Sequence, residues 1–353
     1  MAASFLAGCH HSGTPPNAYL ALVANQGSRS VSVVNLATFT RVRTIPLDFA
    51  PVKLAVRPGE REVYVTSGTG EIAIIRYPSL RIVARIQCGR GRVDLRFLPG
   101  GRHAYALASP GKTIQVINCR RRKVERQIQL SAPVERIALT PDGKMLLAEA
   151  GAKLLFLDAN TGAMQGEVEL GKQPGAFVIL PNGLKAFVAD AGEQTVTAVD
   201  LAGRRILANI DVGAPPTLLA LKPDGGEVFV FSGADSELTI LDANYDSFEQ
   251  NLPTGSRPVA AVFTRDSSTL YIANAGDGTV TTLDVNNRVV KASTRVGIEP
   301  GALALSPDGR FLAVTDLAGA SLAIMRTRTS ALLTSIPVGI DPVDVVIPGW
   351  EAR

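Results

Sequence analysis

Six prolines set the frame of this chain. Pro133, Pro174, Pro216, Pro258, Pro300 and Pro342 follow one another at intervals of 41, 42, 42, 42 and 42 residues. Pro51 begins an earlier copy, and Gly91 stands where a proline would open the copy between Pro51 and Pro133. A period of this length admits only architectures in which one supersecondary unit is repeated and stacked on its neighbours. Within each unit the same signals recur. A turn such as Thr140-Pro141-Asp142-Gly143, Lys222-Pro223-Asp224-Gly225 or Ser306-Pro307-Asp308-Gly309 precedes a run such as Leu270-Tyr271-Ile272-Ala273-Asn274. A Val-Gly-x-x-Pro step closes the unit, as in Val296-Gly297-Ile298-Glu299-Pro300.

Each unit reads as four short strands, a to d, with alternating apolar residues and no competing helical period. Pro-Asp-Gly is a turn with a mechanism: proline presets φ, aspartate bonds the backbone ahead of it, and glycine accepts positive φ. Four-stranded units of this length predict an all-β fold, a β-propeller. Seven complete units run from Pro51 to Pro342. The segment 19–47 supplies strands b, c and d, and 343–348 supplies a lone strand a, so the two ends complete an eighth blade. Eight blades are therefore expected, with seven as the alternative if the Gly91 copy folds irregularly. The expected organisation is a truncated lipoprotein leader with its lipobox and a tether over 1–17, and one propeller domain over 18–353.

Composition excludes several functions. Three histidines, and three cysteines (Cys9, Cys88, Cys119) without a CxxC pair, give no support to a metal cluster or a covalent haem. No cofactor or metal is expected. No window is apolar enough to form a membrane-spanning helix. The net charge of +4 hides an asymmetry: residues 1–130 carry 19 basic against 6 acidic side chains, and 131–353 carry 17 against 26. Nucleic acid is not the expected partner, because the basic half lacks interleaved aromatics.

The residues Val63-Tyr64-Val65-Thr66-Ser67, Tyr271-Ile272-Ala273-Asn274 and the Thr-Val-Thr, Pro-Asp-Gly and Val-Gly-x-x-Pro elements resemble the YVTN β-propeller repeat family of bacterial and archaeal exported and surface proteins. The resemblance spans about residues 18–348. It implies the fold and an extracytoplasmic setting, but no shared catalytic motif. Similar propellers occur in lactonases, methylamine dehydrogenase heavy chains and the N-terminal domain of nitrous-oxide reductase; the histidine ring of the last is absent here. Leu6-Ala7-Gly8-Cys9 resembles a bacterial lipobox, which implies lipidation of Cys9 and membrane attachment through that anchor alone.

In a propeller the b–c and d–a connections share one face, around the channel mouth where ligands commonly sit. Carboxylates fall in or beside five successive b–c loops: Glu149, Asp190 with Glu193, Asp235 with Glu237, Asp277, and Asp316. The d–a loops add Glu299 and Asp341, and the other blades present Arg29, Arg90, Arg92 and Lys112. An acidic crescent facing a basic one suits an envelope protein or a polar small ligand. Asp190 and Asp316 also suit turn bonding of their own backbone. Arg120-Arg121-Arg122-Lys123 falls in a c–d hairpin on the opposite face, where a solvated turn is the ordinary role. Cys88 and Cys119 read as buried thiols, and His103 as structural. The expected protein is a monomeric, noncatalytic binding or scaffold propeller, with a lactonase-like hydrolase as the alternative.

Overall fold

The computed structural model describes residues 19–233 and 236–349; Cys9 and Asp235 lie outside them. Eight four-stranded antiparallel sheets form the blades, and no helix interrupts them among the described residues. Blade 1 joins the chain ends: Leu20–Asn25, Ser30–Asn35 and Thr40–Pro46 provide strands b, c and d, and Pro342–Val346 provides strand a. Blades 2 to 8 are contiguous in sequence. The copy around Gly91 forms a complete blade 3, so the seven-blade alternative falls away. Its strand a begins at Arg92, and its strand d extends over Lys123–Val134. Pro133, which marks the start of the next repeat in the sequence, therefore lies in the outer strand of blade 3.

The prolines act locally. In blades 1, 2, 5, 6, 7 and 8 the register of strand a against strand b shifts immediately after the opening proline. A proline cannot donate to a ladder, so it occupies the first position and the chain bulges around it. Blade 3, with Arg92 in that place, pairs without a shift.

Strands b and c are almost wholly buried, and strand d is exposed apart from one inward residue such as Ile45, Ile86 or Ile336. The arginines on the outer strands of blades 1 and 2 discourage strand pairing with other molecules. Eight apolar clusters fill the spaces between neighbouring blades, for example Leu22, Val33, Leu54, Val65 and Ile75 between blades 1 and 2. Burying such side chains contributes about 25 cal/mol per Å² of apolar surface.

All eight c–d turns contain a residue with positive φ: Phe39, Leu80, Arg122, Gly162, Arg204, Asp246, Arg288 and Ser330. Only one is glycine, although a left-handed conformation is uncommon for other residues. In six blades an Asn or Asp at the end of strand c helps hold the turn by accepting a later backbone N–H, as Asp242 does from Asn244 and Tyr245. In several blades the left-handed side chain crosses to the first residue of strand b in the preceding blade. Phe39 packs edge-on against Phe311 with ring centroids 5.5 Å apart. Asp246 takes Lys185 at 2.5 Å, Arg288 meets Glu227, and Arg122 meets Glu62. The turns thus latch one blade to the next on the a–b and c–d face.

Candidate functional site

The carboxylates expected to form a crescent divide by what they already bind. Glu149 ends up inside blade 4, 2% exposed, with both oxygens on Arg136 Nη1 at 3.0 and 2.8 Å. Burial pushes its carboxyl above the usual range, and Arg136 pulls it back in part. Asp190 and Asp316 are buried at the end of strand b, where each holds the preceding d–a loop. Asp190 accepts from the backbone N–H groups of Gln173 and Glu193. Asp316 accepts from those of Ile298, Glu299 and Gly319. Asn25, at the same place in blade 1, accepts from Gly339 N at 3.1 Å. Asp277 accepts from Ser256 N at 2.6 Å.

The remaining acids are more exposed. Glu193 pairs with Lys172 at 2.9 Å and Glu299 with Arg257 at 2.7 Å. Glu237 lines a cavity of about 160 Å³ with Ser232, Thr239 and Asn251. Asp341 sits exposed at φ 52° beside the loop that carries Arg29. The basic set is freer: Arg29, Arg90, Arg92 and Lys112 are exposed and make no ion pair among the described residues. Arg90 and Lys112 line one cavity of about 240 Å³. Arg92 and Glu299 line a second, of about 370 Å³, at the channel mouth. The other candidates stand on separate loops around the rim.

Side chains on the strands lining the channel were missed in the sequence reading. Pairing with strand b places Asp344, Lys53, Asp94 and Arg136 at one repeat position in blades 1 to 4. Blades 5 to 8 carry Ala176, Leu218, Ala260 and Ala302 there. Half of the ring at this level is therefore charged, with alternating sign, and half is apolar. The signal was present: stacking the repeats shows charges in a strand that is otherwise small and apolar.

Two of these acids fasten neighbouring blades. Asp344 Oδ2 accepts from Leu54 N of blade 2 at 2.7 Å, and Asp94 Oδ2 from Ile137 N of blade 4 at 3.1 Å. Arg96 adds a bond to Ile137 O at 3.0 Å and an ion pair with Asp94, so the backbone of Ile137 is clamped from both sides. Burial raises the carboxyl of Asp344 above its ordinary value, opposed by the Leu54 N–H and by the Lys53 and Arg92 charges. Lys53 and Arg92 make no ion pair among the described residues. They face the apolar half of the mouth, where Val259, Ala260, Gly301, Ala302 and Leu317 lie.

Cys88 and Cys119 are buried free thiols in the cluster between blades 2 and 3. His103 bonds Glu125 at 2.9 Å on the opposite face. On that face the Arg120–Lys123 turn is not simply solvated: Arg122 turns inward onto the buried Glu62.

A family model described as cytochrome D1 heme domain matches residues 223–345, about a third of the chain. No curated protein matches the sequence. Among solved structures, dihydro-heme d1 dehydrogenase NirN in complex with DHE is similar with a TM-score of 0.80 and 14% identity, over 98% of this chain and 78% of that one. Apo AztD from Citrobacter koseri is similar with a TM-score of 0.74 and 13% identity, over 95% and 99% of the two chains. Kuenenia stuttgartiensis hydrazine synthase gives 0.62 and 19% over 80% and 99%. At such identities these likenesses establish the propeller fold. The channel does not fit an iron-ligating haem site. Haem iron is held by His, Cys, Met or Tyr, and none of these lines the channel mouth or the wall below it. No group of three His, Cys, Asp or Glu side chains placed to hold a metal ion occurs among the described residues either.

Proposed function

We propose that this chain is a noncatalytic binding propeller of the cell envelope that takes an acid-bearing, partly apolar small ligand in its channel mouth. The observation that carries the reading is the two-sided wall. Lys53 and Arg92 present unpaired cationic groups, and Val259, Ala260, Ala302 and Leu317 face them across a cavity of about 370 Å³. Ligand pockets commonly pair an apolar wall with a few placed polar groups, over roughly 300–1,000 Å³. The carboxylates nearby are engaged: Asp344 and Asp94 hold backbone N–H groups and Glu299 holds Arg257. An anionic ligand therefore meets free cations, whereas a cationic one meets acids already bonded. Glu149 and Asp344, the carboxyls held above the usual range, are bonded internally, which favours binding over hydrolysis.

The lipobox-like Leu6-Ala7-Gly8-Cys9 and the YVTN-like repeats support an extracytoplasmic, lipid-anchored setting, with residues 1–17 as leader and tether. Calorimetry with a panel of aliphatic and aromatic carboxylic acids tests the mouth. Lys53→Gln/Arg92→Gln should weaken a bound acid about tenfold or more, roughly 1.4 kcal/mol. Equal affinity in the double variant would place the ligand elsewhere. A palmitate label lost in Cys9→Ser would support the anchor, and no label in the parent chain would remove it.

A further inference from the structure

The opposite face carries a larger cavity, about 1360 Å³, in the cleft between blades 2 and 3. At its base lies Glu62, the first residue of strand b in blade 2 (Glu62–Ser67) and 3% exposed. Three guanidinium groups converge on this one carboxylate. Arg57, beyond strand a of the same blade, gives Nη1 to Oε2 at 3.0 Å, and Arg76, at the end of strand c, gives Nη2 to Oε1 at 3.3 Å. Arg122, from the c–d turn of blade 3, gives Nε and Nη2 at 3.0 and 2.7 Å. Arg57 is fixed further by Gly101 O at 2.8 Å. One negative charge thus gathers three positive ones.

Above this base the exposed Arg61, Arg102, Arg120 and Arg121 form the rim, with only Glu60 as a second acid in the lining. Seven arginines stand against these two glutamates and Glu125, which meets His103 and Arg121 from just outside the lining; with His103 neutral the surplus is four positive charges. Like charges gathered in one cleft repel one another. An anion entering the cleft offsets that repulsion. A single carboxylate would offset one charge. Linked or clustered phosphates offset several, and their oxygens match the paired N–H groups of guanidinium.

We propose that the cleft between blades 2 and 3 is a binding site for clustered phosphate groups. Two sources present that chemistry: a soluble phosphorylated molecule, or the headgroups of an anionic lipid surface. The lipid source rests on the proposed anchor at Cys9. Strand b of blade 1 starts at this face and Pro342–Val346 ends at it, so a tether preceding Tyr19 enters the fold on the side of the cleft.

The test uses the full chain with two probes: inorganic pyrophosphate by calorimetry, and phosphatidylglycerol/phosphatidylcholine vesicles against pure phosphatidylcholine vesicles by co-sedimentation. Arg122→Gln alters the base. Arg61→Gln/Arg102→Gln alters only exposed rim residues and keeps the proposal testable if the first variant fails to fold. Arg295→Gln, at the distant end of a blade 7 outer strand (Val289–Arg295), is the control. The expected result is binding of one probe, weakened about tenfold by each folded cleft variant and unchanged by the control. Pyrophosphate binding identifies a soluble ligand, and vesicle binding without it identifies the lipid surface. Failure to bind either probe at low salt, indifference to the cleft substitutions, or citrate binding as tightly as pyrophosphate would overturn the proposal. The mouth residues Lys53 and Arg92 lie on the other face, so either reading can fail alone.

Discussion

Asp344 permits a test of how the ring is fastened at the channel. It is half-buried in the wall, and its carboxylate receives Leu54 N at 2.7 Å. Asp344→Ala leaves that N–H without its acceptor, which costs about 1–3 kcal/mol, at the lower end if channel water replaces the oxygen. Asp344→Asn keeps an acceptor of the same shape and removes the charge that burial disfavours. At pH 7 the asparagine variant should therefore be at least as stable as the parent, and the alanine variant less stable than both.

The pH dependence has a definite sign. Because folding raises the Asp344 carboxyl above its ordinary 3.8, its contribution is fully present below that value and is lost as pH rises through the raised one. The advantage of Asp344→Asn over the parent should accordingly grow from about pH 4 upward and then level off. Urea unfolding of the three proteins across that range measures both effects. If asparagine destabilises as much as alanine, or if its difference from the parent does not change with pH, the charge-burial argument is wrong.

The Lys185–Asp246 latch is largely shielded from solvent on both sides, so Lys185→Met should cost about 2 kcal/mol by stranding the carboxylate, and adding Asp246→Leu should recover much of it. Urea unfolding of the four proteins of the cycle gives the coupling, and additive losses would mean that the latch is not a unit. Burial pushes the Cys88 thiol up to about 12 and raises that of Cys119, so neither should react with a disulfide reagent in the native state and both should in denaturant. Mass spectrometry of labelled peptides checks this. Asp142 takes bonds from Thr140 Oγ1 at 2.6 Å and Lys144 N at 3.0 Å, which hold its carboxyl below the usual range. Its side chain is 55% exposed, so solvent screening keeps the loss in Asp142→Ala below about 1 kcal/mol, absent once acid protonates the parent. Thermal unfolding of parent and variant at stepwise lower pH from 7 compares the two.

The architecture was legible because its signals are local and repeated. Proline spacing, Pro-Asp-Gly turns and alternating strands each report on a few consecutive residues, and they led to the eight sheets and to the blade shared by both ends. The c–d turns were less visible, since seven of the eight left-handed positions lack the glycine that usually advertises them. The candidate site was only partly legible for a different reason. Loop position told which face Asp190, Asp316 and Glu149 approach, but not that Gln173 N, Ile298 N and Arg136 already occupy their oxygens. Those partners lie 13 to 18 residues away and come together only when strands pair. Glu62 and Arg122, 60 residues apart in different blades, carry no sequence signal of their meeting at all.

The blade that joins both ends gives synthesis a direction. Strands Leu20–Asn25, Ser30–Asn35 and Thr40–Pro46 leave the ribosome before the other described strands, yet the strand that covers Leu22–Asn25 is made some three hundred residues later. Until Pro342–Val346 arrives, the nascent chain carries an open hydrogen-bonding edge and the apolar face of Val345's future neighbours. A product cut short anywhere upstream therefore keeps an adhesive flank that a quality-control protease or a holding chaperone can read. Because the two ends meet within one sheet, the same junction can be sewn shut and the chain reopened between any other pair of blades. Such circular permutants should fold to the same ring, with the last-made segment moved to a place of the experimenter's choosing.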